Sequence, residues 1–241
     1  MLELAIKTDN MMRGNLYLND AAMGRFTTLN PSVISITERF KSGRMKVERF
    51  IERKFEETYG ASLPSHYPTM MSAHNAEGDI MAAVGFRTAD TGMLFLEQYL
   101  PTRIEKTLSA ATNKKVHRNE IIEIGSLASA GGGASIFLFI ALSAYLKARG
   151  LTFAAVTATR ELRFAFRFLQ LEAMDFGPAD KTQLPDGGAK WGTYYDTEPR
   201  VLAGDLSAAY GRLEHYLPEQ QNQNLGQLFP RLHYGSQGEV S

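Results

Sequence analysis

The run Ser129-Ala-Gly-Gly-Gly-Ala-Ser135 places three consecutive glycines between a short segment of alternating apolar residues and a long apolar one. If the first is a strand and the second a helix, the turn presents unpaired backbone N–H groups where the partial positive charge of the helix collects, with little side-chain bulk in the way. That is a cradle for phosphate or pyrophosphate, and Ser135 either caps the helix or adds a hydroxyl to the anion. The same residues also describe a tight capped turn that binds nothing. Upstream, Glu123 is a carboxylate of the type that can take up a proton; its plainer reading is a salt-bridged or solvent-facing strand residue. Arg87 is suited to binding a carboxylate, or is an ordinary strand-end charge.

Other chemistries are excluded by what is missing. The 241 residues contain no cysteine, which removes thiol nucleophiles, thiolate metal sites and disulfides and points to a reducing, cytoplasmic compartment. Lys and Arg total 26 against 26 Asp and Glu, so no global basic field draws the chain to nucleic acid. The five histidines show no ligand spacing, and no metal is expected. The N-terminus lacks the apolar run of a secretory signal. The longest apolar stretch, residues 134–146, falls short of the roughly 20 residues that span a bilayer, so any membrane contact would be peripheral. The glycine run lacks the Gly-Lys-Ser/Thr of nucleotide-binding loops, the third glycine and downstream acid of dinucleotide folds, and the Gly-x-Ser-x-Gly of serine hydrolases.

The elements that must position these groups follow from hydrophobic period. Leu2, Leu4 and Ile6 alternate as a short strand, and residues 9–31 read as irregular. Met45, Val47, Phe50, Ile51, Phe55 and Tyr59 recur at three and four, predicting an amphipathic helix over 44–59 that Gly60 ends. Residues 67–74 and 80–86 flank a polar turn as a hairpin. Met93 to Leu100 is short and amphipathic, and Pro101 is placed to open a helix through Leu108. Residues 120–128 form a strand, 135–149 a helix apolar on nearly every face, and 151–159 a buried strand, together a strand–helix–strand crossover. A helix over 161–171, closing strands near 174–176 and 191–195, and a helix near 206–216 follow. Residues 218–241, rich in Gln, Asn and Gly, read as a flexible tail. The expected architecture is α/β (α+β), a central mixed sheet flanked by helices, with one domain over 1–205.

This order of elements resembles the GNAT-like acyl-CoA N-acyltransferase fold, whose phosphate loop reads Gln/Arg-x-x-Gly-x-Gly/Ala; the glycines match here and the leading Gln/Arg does not. Phe55 to Gly60, Gly85-Phe86-Arg87-Thr88, Gly92-Met93-Leu94 and Glu123-Ile-Gly-Ser126 are similar to the acyl-homoserine-lactone (autoinducer) synthase branch of that fold. Over residues 45–205 the chain resembles the thermostable hemolysin family, a relative of those synthases.

The resemblance implies an acyl group moving from acyl-CoA or an acyl carrier protein to a small-molecule amine, with no tightly bound cofactor. It assigns Glu123 the catalytic acid on the strand and Leu127, Ala128, Ser129, Gly131, Gly132, Gly133, Ala134 and Ser135 the carrier contacts, with a bulge allowed at Gly125. Arg87, Phe55 and Ser126 fall at acceptor positions. Ser126 stands where the synthases carry a basic residue and Ile51 where they carry an arginine, so the expected partners of an S-adenosylmethionine carboxylate are absent. The acid for the leaving thiol is open among Tyr145, Tyr194 and Tyr195. A non-catalytic or membrane-active protein that keeps the fold is the alternative.

Overall fold

The computed structural model describes residues 2–25, 27–63 and 65–216, and the predicted tail lies outside the described residues. Alternating apolar residues open the chain as a hairpin. β1 (Leu2–Thr8) turns through Asp9 and Asn10, both at positive φ, and β2 (Met11–Leu18) returns antiparallel to it. Asp and Asn tolerate that left-handed backbone better than other side chains. The reading of 9–31 as irregular is therefore corrected: the stretch holds β2, which buries Leu16 and Leu18, and a short helix α1 (Asp20–Met23) capped by Asn19. After β3 (Val33–Glu38) comes α2 (Arg44–Tyr59), ended by Gly60 at φ 63 as its spacing predicts.

The hairpin β4 (Thr69–His74) and β5 (Ile80–Thr88) leads through a 3-10 turn at Phe95–Tyr99 to α3 (Ile104–Thr112). The crossover follows as β6 (Ile121–Ser129), α4 (Ala134–Ala148) and β7 (Phe153–Ala158). Then come α5 (Arg160–Phe168), β8 (Met174–Pro178), β9 (Arg200–Asp205) and α6 (Leu206–Leu213). The strand expected near 191–195 is absent. Those residues form 3-10 turns at Ala189–Trp191 and Tyr194–Thr197, and β9 closes the sheet instead. Gly192 explains the substitution: a Cβ there would lie 1.9 Å from the Tyr59 carbonyl oxygen, so this loop is seated on the end of α2.

The nine strands form one mixed sheet in the order β2-β1-β3-β4-β5-β6-β7-β9-β8, with β1–β3 and β6–β7 parallel. α4 packs on one face together with α6, which explains why it is apolar all round; Leu206 and Leu213 join its core. α2 covers the other face through Val47, Phe50, Ile51 and Phe55. A third cluster gathers α3 and the Leu94–Leu96 turn beside the start of β6 and β7.

Candidate functional site

Two local irregularities in the sheet create the site. β6 and β7 pair from Ile121–Phe153 to Ile124–Val156 and then part, although β6 runs on to Ser129 against β5 and β7 runs on to Ala158 against β9. The strands therefore splay into a slot. On the other edge of β6, Ala83 faces Ala128 and Gly85 faces Gly125, so Ser126 and Leu127 together oppose Val84. This is a β-bulge, and it bends the strand away where the slot opens. Sequence reasoning expected the irregularity at Gly125; the residue in the left-handed region is Ser126, at φ 52.

A cavity lies on each side of the slot. The one on the α4 side, about 170 Å³, is walled by apolar side chains including Leu127, Leu138, Leu142, Leu206 and Ala209. The one on the α2 side, about 370 Å³, is more polar and is lined by His66, Tyr67, Arg87, Gln98 and Trp191 among others. Phe55, Ile124, Gly125, Ser126, Thr157 and Tyr194 line both, so the two meet through the splay.

Glu123 and Arg87 stand directly opposite each other on β6 and β5, and Arg87 Nε donates to Glu123 Oε2 at 2.8 Å. The Glu123 side chain is 1% exposed, so burial of its charge demands partners. It finds two more in the backbone N–H groups of Phe95, at 3.1 Å to Oε2, and Leu96, at 2.7 Å to Oε1. The turn that supplies them is itself tied down. Glu97 accepts from the Leu94 and Ile104 N–H groups and from Arg118, which also holds the Ala89 and Gly92 carbonyls. Arg87 keeps 27% of its side chain exposed, at the cavity, with its guanidinium 5.8 Å from the centre of the Tyr67 ring.

Tyr67 was not singled out from the sequence. Its ring lies across Gly85 and Gly125, the facing glycines of β5 and β6; a Cβ on Gly125 would come within 2.3 Å of its hydroxyl. Burial pushes the hydroxyl well above the usual phenol range, and the nearby Glu123 charge adds to the effect. Arg44 anchors the backbone here, donating to the carbonyls of Tyr67, Pro68 and Thr37. His66 beside it pairs with Glu52 at 2.7 Å. The rest of the wall is aromatic: Phe55 stacks on Tyr194 with ring centres 6.3 Å apart, and Trp191 packs against Tyr194 at 5.1 Å.

At the far end of β6, Gly131, Gly132 and Gly133 all have positive φ, and Gly133 rather than Ser135 is the N-cap of α4. Ser129 Oγ takes the Gly131 N–H, and the Gly131 carbonyl takes that of Ala134. Among the described residues, the N–H groups of Gly132, Gly133 and Ser135 find no partner in the chain, and the three glycines are exposed. Thr27 donates to the Gly132 carbonyl, and Leu29 sits where a Cβ on Gly132 would be 3.0 Å from its Cδ1. The N-terminal segment thus braces the loop, a contact that no local sequence pattern announces.

Of the residues singled out from the sequence, Arg87, Phe55 and Ser126 line the α2-side cavity, and Glu123 lies buried behind it, paired with Arg87. Leu127 faces the apolar cavity, and Ala128 packs under α2. Ala134 is fully buried, so its side chain belongs to the core. Tyr194 reaches the slot, its hydroxyl 3.4 Å from the Thr157 carbonyl, and Tyr195 is bonded to Tyr99 at 2.6 Å. Tyr145 does not reach it: it packs on Phe86 in the α4-side core and accepts from Arg149. Ile51 is fully buried and offers nothing to a ligand.

Among solved structures the chain is similar to the AHL synthase LasI, at 15% identity and TM-score 0.50 over 78% of this chain and 98% of that one. It is also similar to FeeM, an N-acyl amino acid synthase from uncultured soil microbes, at 13% identity and TM-score 0.44 over 71% and 90%. A GNAT-family acetyltransferase from Staphylococcus aureus Mu50 matches at 13% identity and TM-score 0.43 over 72% and 99%. The LasI match places the chain in the GNAT-like fold expected from its element order. No curated protein sequence matches the chain. Residues 37–210, which carry every strand from β4 onward and the whole slot, match the family model described as thermostable hemolysin, and the chain belongs to that family.

Proposed function

We propose that the chain moves an acyl group from acyl-CoA or an acyl carrier protein to the amine of a small acceptor. The observation that carries this reading is the splay of β6 from β7, set between a glycine-lined helix N-terminus and two cavities, one apolar and one more polar. The three unpartnered N–H groups of Gly132, Gly133 and Ser135 suit the carrier's phosphates. The thioester arm then lies along the slot, where the unpaired edge of β6 offers main-chain donors to its carbonyl. The acyl chain takes the apolar cavity and the acceptor takes the other, so attack occurs through the opening between them.

Each acceptor-side residue has a part. Arg87 faces a carboxylate on the acceptor, and the aromatic wall of Phe55, Trp191 and Tyr194 packs its carbon skeleton. Glu123 Oε2 holds Arg87, while Oε1, with one N–H donor, is the atom left to take the amine's proton through a water. The nitrogen attacks the thioester carbon, the C–S bond breaks, and the thiolate leaves to be protonated. Titration with coenzyme A tests the carrier half of this reading. Saturable binding supports a nucleotide carrier; absence of binding moves the donor to acyl carrier protein, and failure of both removes the reading. Vesicle leakage without acyl transfer would favour the membrane-active alternative.

A further inference from the structure

Gly85 and Gly125 face each other across β5 and β6, yet neither has a positive φ, so the backbone conformation does not require glycine at either position. What requires it is the Tyr67 ring. A Cβ on Gly85 would lie 2.7 Å from Tyr67 Cδ2, and one on Gly125 would lie 2.3 Å from the hydroxyl oxygen. Paired glycines weaken a sheet, and here they clear a bed for one aromatic side chain. The bed is aimed: the hydroxyl comes to rest over Gly125, the residue before the Ser126 bulge, at the point where β6 leaves β7. Among the described residues that hydroxyl has no hydrogen-bond partner, and its ring lines the α2-side cavity.

We propose that the Tyr67 hydroxyl is a catalytic hydrogen-bond donor to the acyl oxygen, stabilising the negative charge that develops there when the amine attacks. The proposal rests on the acyl-transfer reading of the same slot. A donor in this role must stay protonated while charge builds, and burial beside Glu123 keeps the phenol neutral. It must also be held before substrate arrives. Arg44 fixes the main chain of Tyr67 and Pro68, Arg87 lies over the ring, and the two glycines receive it, so little reorganisation remains. No bond to hydrogen need break; the phenol O–H shortens its contact as the carbonyl oxygen gains charge.

Tyr67→Phe removes the donor and keeps the ring. The expected result is a fall in kcat on the order of 10²-fold, as for loss of one oxyanion donor, with KM for both substrates within about threefold of the parent. Its unfolding midpoint should match the parent's, because the hydroxyl holds no other part of the chain. Gly125→Ala forces the ring off its bed and should lower kcat in the parent while adding little in the Tyr67→Phe background. If Gly125→Ala fails to fold, Tyr67→Phe alone decides. A Tyr67→Phe enzyme with the parent kcat overturns the proposal and leaves acyl transfer standing; a parent that transfers no acyl group overturns both.

Discussion

Arg87 and Glu123 occupy facing positions on β5 and β6 and are joined Nε to Oε2 at 2.8 Å, so two residues that read separately as a carboxylate binder and an acid form one ion pair around a buried carboxylate. The pair also fastens the Phe95–Leu96 turn to the sheet through backbone N–H groups. Glu123→Ala would leave a guanidinium and two N–H groups without their acceptor, and it should destabilise the fold by about 3–5 kcal/mol in denaturant unfolding. Glu123→Gln keeps the shape and part of the bonding and should lose less. Acyl transfer by Glu123→Gln at the parent rate would remove Glu123 from proton uptake.

The phosphate cradle is testable at Gly131. A Cβ at this position meets nothing within 4 Å, so an introduced side chain would extend into open space and strain the fold through its φ of 96 rather than by collision. Gly131→Asp places a negative charge beside the N–H groups of Gly132, Gly133 and Ser135. Calorimetric titration should show coenzyme A affinity reduced at least about tenfold, the equivalent of roughly 1.4 kcal/mol. Undiminished affinity would show that the carrier phosphates lie elsewhere.

The apolar cavity should set acyl length. Ala209 lines it from α6 and is partly exposed, so Ala209→Phe narrows the space with little cost to the core. Competition between short and long acyl donors should shift toward the short ones, with kcat/KM for the long donor falling about tenfold or more. An unchanged ratio would place the chain outside this cavity.

The acid limb of stability should report the turn that holds Glu123. Burial alone would raise the Glu97 carboxyl, but Arg118 and the Ile104 and Leu94 N–H groups outweigh it and hold the pKa below the ordinary 4.5. A carboxyl depressed in the folded state stabilises fully above the unfolded value and loses that contribution as pH falls through the folded one. Unfolding midpoints should therefore drop just below pH 4.5, and Arg118→Met should flatten that fall while lowering stability above it.

The crossover of β6, α4 and β7 was legible in the sequence because each element is long or strongly patterned, and so was α2 with Gly60 at its end. The N-terminal hairpin was not, although Asp9-Asn10 between alternating residues is its signal. β9 was hidden too: in Arg200 to Asp205 the apolar residues Val201, Leu202 and Ala203 are consecutive rather than alternating and a glycine follows, so the sheet rather than local pattern makes it a strand. Within the site, Glu123, Arg87 and the glycine loop were readable as residue types. Their pairing depends on the β5–β6 register, and Tyr67 lies 18 residues from one of its glycines and 58 from the other. Register decides such contacts, and single-strand patterns do not encode it.

The most direct test of acyl transfer is mass-spectrometric detection of product from an acyl thioester, supplied on coenzyme A and on acyl carrier protein, with a panel of amines matched for side chain with and without a carboxylate. Acyl transfer through this slot should give amine-dependent thiol release, one acyl group added to the amine, preference for carboxylate-bearing acceptors, and loss of that preference in Arg87→Met. Thiol release independent of amine, or no acylated amine from either donor, would contradict it.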